Sequence, residues 1–350
     1  MNFQEIISNW YAANKRELPW RNTTDAYVIW LSEIILQQTR VEQGLPYFHK
    51  FLEAFPTVSA FAAATETEVL NLWQGLGYYS RGRNMLYTAR EVQVKHDGIF
   101  PTDYKTLIGL KGVGAYTAAA ISSFSADESQ AVLDGNVFRV LARYFGIDLP
   151  INSNAGKKHF TALAQELIAG QHPAIYNQAI MEFGALQCKP KSPDCGTCPL
   201  QLNCYSFAHG LVSMLPVKNK AAGKKTRYLN YFLCSDGERL LVRQRTGADI
   251  WQQLYDFPLL ETAQEASLAD PEFSLQLADK FGKLVSVRVL SKVKHLLTHQ
   301  IIYVQFFAVD NYMTNFNKSA ECIWVTWEQL EALPQPKVIS NFLTGYLTKY

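Results

Sequence analysis

Residues 107–118 read Leu-Ile-Gly-Leu-Lys-Gly-Val-Gly-Ala-Tyr-Thr-Ala, two helical patterns joined by a turn that carries Gly109, Gly112 and Gly114. Glycine lets the backbone turn sharply and come close to another group. The run Ala115–Ile121 that follows predicts a helix whose free N–H groups and dipole can hold a phosphate. This is a helix-hairpin-helix pattern, which grips a DNA backbone without reading bases, and Gly112 and Gly114 are its candidate contacts. A plain helix–turn–helix packing corner is the alternative on glycine spacing alone.

Outward from this turn, the chain to about Ala208 is helical in pattern. Apolar residues recur at spacings of three and four, as in Phe61–Leu72 and Phe160–Ala169, and no strand is expected there. The stretch 217–227, VKNKAAGKKTR, loses that periodicity and gains lysines, which reads as an exposed basic linker. Beyond it the pattern changes to period two. Tyr228–Cys234 and Arg239–Arg245 flank Ser235-Asp236-Gly237-Glu238 and predict a β-hairpin. Further strands are expected at Leu284–Ser291, Ile301–Val309 and Glu321–Val325, with helices near Leu275–Phe281 and Trp327–Leu333. The expected organisation is thus an all-α domain at 1–216, a linker at 217–227 and an α+β domain at 228–350. A length of 350 residues, 48% of them hydrophobic, suffices for two packed cores. No apolar run is long enough to span a bilayer, so no membrane partner is expected. A net charge of +2 permits nucleic-acid binding without arguing for it, so any phosphate-binding surface must be local.

Four of the six cysteines, Cys188, Cys195, Cys198 and Cys204, form the run C-x6-C-x2-C-x5-C. The opening MNFQEIISNWYAANKRELPW contains no apolar signal-peptide core, so reduced thiols in a cytosolic protein are expected. Four thiolates suit zinc or a [4Fe–4S] cluster. One tight pair with two looser outer cysteines favours the iron–sulfur cluster over the matched knuckles of a zinc ribbon. The surrounding Pro190, Pro193 and Pro199 make the run a loop, where cysteines do not pack a core.

Two carboxyls stand out. Glu33 lies within YVIWLSEIILQQ, residues 27–38, a helix apolar on nearly every face. A carboxyl there is either paired or functional, and desolvation would raise its pKa into the range of a general acid. Trp30 and Gln37 are its helical neighbours and suit holding a base. Asp134 lies within AVLDGNVFRV, residues 131–140, after an apolar run and before a helical pattern. It is either an N-cap or a functional acid. Cutting a glycosidic bond takes two carboxyls, one to protonate the leaving group and one to stabilise the sugar cation, and these two can form that pair.

Taken together, LPWR (18–21), WLSEIILQQTRV (30–41), LKGVGAYTA (110–118), VLDGNVFRV (132–140), the four-cysteine run and the α+β second half resemble the MutY family of adenine DNA glycosylases. The resemblance covers essentially the whole chain and is dense over residues 18–204. It implies base excision repair, with hydrolysis of the N-glycosidic bond of adenine mispaired with 8-oxoguanine or guanine in double-stranded DNA. Glu33 would protonate adenine, and Asp134 would stabilise or capture the sugar cation with Asn136 and Tyr116. Trp20, Arg21, Trp30 and Gln178 would line the adenine pocket. Leu36, Gln37, Gln38 and Tyr78 would enter the duplex. A [4Fe–4S] cluster on the four cysteines would be structural. The resemblance further implies a monomer of the bacterial cytosol, nucleoid-associated when acting.

Superfamily members that also cleave the strand carry a lysine where this chain has Tyr116, so a monofunctional glycosylase is expected. The second half resembles the Nudix-like domain with which the family reads 8-oxoguanine. Trp251–Pro258 resembles a Nudix strand region, and the acidic metal box is missing from Leu259–Gly282, so binding without hydrolysis is expected. The family's Phe-Ser-His motif aligns with Leu297-Thr298-His299, which leaves Thr298 and His299 to contact the oxidised base and replaces the aromatic by leucine. Three alternatives stand beside this reading. They are a bifunctional endonuclease III-like glycosylase/lyase, a Nudix-type nucleotide hydrolase, and a non-catalytic DNA-binding iron–sulfur protein.

Overall fold

The computed structural model describes residues 1–220, 223–281, 286–310 and 322–347. Along the first part run helices α1 (Phe3–Asn14), α2 (Ala26–Ile35), α3 (Val41–Ala54), α4 (Val58–Ala63), α5 (Glu66–Trp73) and α6 (Ser80–Lys95). They are followed by α7 (Tyr104–Leu107), α8 (Ala115–Ala126), α9 (Gly135–Phe145), α10 (Asn154–Ile168), α11 (Pro173–Leu186) and α12 (Tyr205–Ala208). The second part holds β1 (Lys225–Cys234), β2 (Arg239–Gln244), β3 (Tyr255–Asp256), β4 (Leu259–Thr262), α13 (Pro271–Phe281), β5 (Ser286–Leu296), β6 (Gln300–Asp310), β7 (Cys322–Thr326), α14 (Trp327–Glu331) and α15 (Lys337–Leu347). Among the described residues, no helix is long and apolar enough to cross a membrane.

By contact, the chain divides into two compact units. The first, Met1–Ala64 with Asn84–Ala221, is helical. Side-chain caps start its helices where the sequence supplies them. Asn2 and Glu5 form a reciprocal capping box on α1, and Asp25 caps α2. One core gathers Ile7, Val140, Leu141, Phe160, Ala179 and Phe183 from α1, α9, α10 and α11. Around Trp30 lies an aromatic cluster formed with Tyr27, Phe61 and Phe100. The glycine turn joins α7 to α8. Gly112 has φ +79, a backbone that only glycine adopts without strain, and a Cβ there would also lie 2.9 Å from Asn84 Cβ. The apolar stretch 61–72 is two helices, because the Thr65–Glu68 capping box restarts the chain at α5.

The second unit groups Thr65–Arg83 with Ala222–Tyr350. Inside the stretch 1–216 expected to form the first domain, therefore, one segment associates by contact with the second. Its hydrogen bonds supply the reason. Asn71 Nδ2 donates to Ala332 O at 2.6 Å, Tyr79 Oη to Gln335 O at 3.2 Å and Arg83 to Gln252 O at 2.8 Å. The expected linker is shorter at both ends, since Val217 O accepts the Ile151 N–H at 3.0 Å and β1 begins at Lys225.

Two sheets make up the α+β part, in the orders β4-β1-β6-β5 and β3-β2-β7. β1 runs parallel to β6, from Lys225 opposite Gln300 to Cys234 opposite Val309, and antiparallel to β4. The hairpin expected at Ser235–Glu238 is corrected here. The turn forms, with Gly237 at φ +98 and Asp236 accepting the N–H groups of Glu238 and Arg239, but β1 and β2 enter different sheets and share one bridge, Ser235 to Leu240. Both edges of β1 are already occupied, by β4 and β6, so β2 pairs with β3 and β7 instead. The other expected strands and helices form within a few residues of their predicted limits, while Leu284 and Glu321 lie outside the described residues. β3 falls within Trp251–Pro258, the stretch that resembles a Nudix strand region, while β4 and α15 were not anticipated.

Candidate active site

Glu33 sits on α2, whose residues are buried on almost all faces, and is itself 9% exposed. Burial raises its pKa to about 7, with the nearby Tyr116 phenol pulling the other way, Asp134 repelling it upward and Arg21 drawing it down. Tyr116 is the second residue of α8. Its phenol is driven well above the ordinary tyrosine range by burial, then by Glu33 and Asp134, so it stays protonated and available as a donor. The hydroxyl also lies 3.3 Å from Met181 Sδ. Two acids a hundred residues apart in sequence are therefore electrostatically coupled around one phenol.

Asp134 is the N-cap of α9. Its Oδ1 accepts the N–H groups of Asn136 and Val137 at 2.8 Å each, and its Oδ2 accepts Asn136 Nδ2 at 2.8 Å. Burial raises its pKa, while those donors and Arg139 oppose the rise by stabilising the anion. Burial raises both acids, and they differ in what opposes it: at Glu33 the Tyr116 phenol, at Asp134 an anion cradle at a helix N-terminus. Asn136 is held from behind: Arg139 donates to its Oδ1 at 2.7 Å and to Gly184 O at 2.6 Å. A Cβ on Gly184 would lie 2.7 Å from Asn136 Cβ, so glycine permits α11 to approach α9 this closely.

The residues expected to form a base pocket are placed unevenly. Arg21 and Gln178 line a cavity of about 600 Å³ with Tyr11 and Arg16. Gln178 Oε1 accepts the Tyr11 hydroxyl at 2.6 Å. Arg21 and Arg16 both bind the carboxylate of Glu182, a residue 1% exposed. Burial pushes Glu182 up, but the bonds from Arg16 and Arg21 outweigh it and hold it at about 2. Trp20 is buried against Phe48. Trp30, expected to face the base, is corrected to a core position. It is 1% exposed and packed on Phe61 and Phe100, because its side of α2 faces the aromatic cluster. Sequence reasoning missed Tyr11, Glu182 and Arg139. An acid in the apolar stretch Met181-Glu182-Phe183 offered the same signal that singled out Glu33.

Leu36, Gln37 and Gln38 follow α2. Gln37 Nε2 donates to Thr117 Oγ1 of α8 at 3.3 Å, and exposed Gln38 takes a left-handed φ of +55. In the second unit, Tyr78 is 42% exposed with φ +48, and its hydroxyl is hydrogen-bonded to that of Thr298. Tyr78, Thr298 and His299 line one cavity of about 460 Å³ together with Trp251 and His295.

The four clustered cysteines are partly buried on the loop that begins at the end of α11. Cys195, Cys198 and Cys204 are pushed up in pKa by burial and by the neighbouring sulfurs, Cys198 to about 11. Arg143 of α9 donates to Cys188 Sγ at 3.4 Å, to Lys189 O at 2.8 Å and to Pro190 O at 3.2 Å. Four soft thiols crowded in a partly desolvated region, with an arginine alongside, form a donor set suited to a bound metal centre that draws off thiolate charge. Among the described residues, no three His, Cys, Asp or Glu side chains are grouped as a single metal ion would require.

A family profile described as "HhH-GPD superfamily base excision DNA repair protein" matches residues 31–169, and a "NUDIX domain" profile matches residues 230–345. The chain is 31% identical to the adenine DNA glycosylase of Buchnera aphidicola subsp. Baizongia pistaciae, over 98% of this chain and 96% of that protein. It is 40% identical to the adenine DNA glycosylase of Mus musculus over 61% of this chain and 44% of the relative. A solved thermostable thymine-DNA glycosylase superposes with a TM-score of 0.55 at 29% identity, covering 59% of this chain and 95% of that one. The carboxyl pair, the helix-hairpin-helix turn and this full-length similarity give one conclusion: the chain belongs to the adenine DNA glycosylase family.

Proposed function

We propose that the chain hydrolyses the N-glycosidic bond of adenine opposite 8-oxoguanine or guanine in duplex DNA, as a monofunctional glycosylase acting as a monomer. The observation that carries this reading is the coupling of Glu33, poised at about 7, to Asp134 through Tyr116. An acid with that pKa can donate a proton to the adenine ring near neutral pH. Asp134, stabilised as an anion by its cap donors, faces the positive charge that develops on the sugar. Tyr116 has no amine with which to form a Schiff base, so strand cleavage is not part of the chemistry. The target base must leave the stack to be reached, which costs about a few kcal/mol. Backbone contacts at the Gly112–Gly114 turn and insertion of Leu36, Gln37, Gln38 and Tyr78 would offset that cost. Trp20, Arg21 and Gln178 would receive the extruded base.

Tyr78, Thr298 and His299 would read 8-oxoguanine, which supports the mismatch assignment because their hydroxyls and imidazole converge on one cavity. Cys188, Cys195, Cys198 and Cys204 would hold a [4Fe–4S] cluster that fixes the loop after α11 and supplies no step of the hydrolysis. The test is incubation with duplexes containing adenine opposite 8-oxoguanine, guanine or thymine, with base release and strand scission scored separately. Release opposite 8-oxoguanine and guanine, with scission only after alkali, is expected. Equal release opposite all three partners would refute the mismatch assignment. A Thr298→Ala, His299→Ala double variant should lose the preference for 8-oxoguanine over guanine. Iron and labile sulfide should appear in a one-to-one ratio and both fall in Cys198→Ala.

A further inference from the structure

The second unit carries another cavity, of about 690 Å³, beside the one lined by Thr298 and His299, and Gln300 lines both. Lys225 and Arg227 of β1 and Arg243 and Arg245, from β2 and just after it, line it with Asp249 and Glu261. Arg227 pairs with Asp249 and Glu261, Arg245 with Asp249 and Asp256, and Arg243 through Nε with Asp256. Four cationic groups thus meet three carboxylates, an excess of one positive charge.

Two donors in this network remain short of acceptors. The Lys225 ammonium is exposed and bonds to no group among the described residues. Arg243, in a side chain 22% exposed, bonds only through Nε to Asp256 among the described residues, which leaves its terminal nitrogens to a ligand. The tetrahedral oxygens of a phosphate fit both a guanidinium edge and an ammonium. The backbone strengthens the link to the neighbouring cavity, since the Lys225 N–H donates to His299 O at 3.0 Å. We infer that this cavity is a phosphate subsite, set one cavity away from the base-reading Thr298 and His299. Its occupant is a phosphate group, either a phosphodiester of the strand whose base enters the adjacent cavity or the phosphate of a free nucleotide. The strand assignment rests on the function proposed above; the anion binding does not.

Lys225→Ala and Arg243→Gln, in the full-length protein, test this with inorganic phosphate and pyrophosphate as probes, followed by phosphorus-31 line broadening. Broadening by the parent protein and at least a tenfold weaker effect in each variant are expected. In parallel, the salt dependence of binding to a duplex with adenine opposite 8-oxoguanine should lose about one counterion per variant. A changed phosphate affinity with an unchanged salt slope assigns the occupant to free nucleotide; a changed slope without phosphate binding assigns it to the strand. A parent protein that binds neither probe, with slopes unaltered in both variants, overturns the subsite. Arg243 bonds to fully buried Asp256, so melting curves accompany that variant, and exposed Lys225 carries the test if it unfolds. Single-turnover base release at saturating DNA should be unchanged in Lys225→Ala. A parent protein that releases no adenine would sink the proposed reaction and leave the phosphate readout intact.

Discussion

Replacing Glu33 by glutamine removes one proton from a site built to hold it, and the consequences for stability and for rate can be separated. The folded chain holds the Glu33 proton with a pKa of about 7, against an ordinary 4.5. That gap corresponds to about 3 kcal/mol. Because the folded-state value is the higher one, the contribution is complete below about pH 4.5 and is lost as pH rises through about 7. Glutamine has no proton to lose, so Glu33→Gln should gain about 3 kcal/mol on the parent protein between pH 4.5 and pH 8. Urea unfolding at those two pH values, followed by helical circular dichroism, measures the difference. The rate should move in the opposite direction. Single-turnover adenine release should fall about 10²- to 10⁴-fold, the worth of a general acid, while duplex affinity stays within about twofold. In the parent protein the same rate should decline roughly tenfold per pH unit above about 7. Parallel stability curves for the two proteins, or a parent rate that is flat from pH 6 to pH 9, would refute the argument that burial tunes Glu33.

Tyr116→Phe removes the donor that lowers the Glu33 pKa, so the alkaline limb of the rate profile should shift to higher pH. The maximal rate should fall by about 10- to 100-fold, as expected for losing one hydrogen bond to a charged group. Glu182→Gln leaves Arg16 and Arg21 without their shared carboxylate and should cost about 3 kcal/mol in denaturant unfolding. The depressed Glu182 pKa makes its contribution present above about pH 4.5 and lost as pH falls toward 2, so the cost should shrink in acid. Gly184→Ala forces a Cβ to 2.7 Å from Asn136 Cβ. It should lower stability by about 1–3 kcal/mol and slow base release more than it weakens DNA binding.

How far the chain could be read in advance depended on whether the deciding interaction was local. Glu33 was legible because a carboxyl inside an apolar helix is anomalous wherever that helix packs. Glu182 carries the same anomaly, yet its meaning lies in Arg16 and Arg21, more than 160 residues away. Trp30 lies on the same helix as Glu33, but its side of α2 was already committed to Phe61 and Phe100. Turn chemistry at Asp236–Gly237 was also read correctly as a turn. Which strand would pair with which is decided by the occupancy of the β1 edges, a property of the whole sheet. The association of Thr65–Arg83 with the second unit left no trace in periodicity, because its bonds run from side chains to backbone carbonyls that every sequence provides.

Asp134 bears most directly on how sequence maps to chemistry here. Read locally, it offered a choice between an ordinary helix cap and a functional acid. The structure makes it the cap of α9, and under the proposed function the same cap geometry would also equip it as the functional acid. Two backbone N–H groups and the Asn136 amide donate to the carboxylate at a half-buried position. A capping aspartate on an exposed helix would be solvated and would stabilise only the helix. Beside Glu33 and Tyr116, the same arrangement would, on the proposed reaction, keep a negative charge available to a forming sugar cation without reorganisation at the moment of bond cleavage. Asp134→Asn would keep an acceptor for the cap and remove the charge. Its stability should therefore change by less than about 2 kcal/mol while base release drops at least a hundredfold. A variant that lost both in proportion would show that Asp134 serves α9 alone.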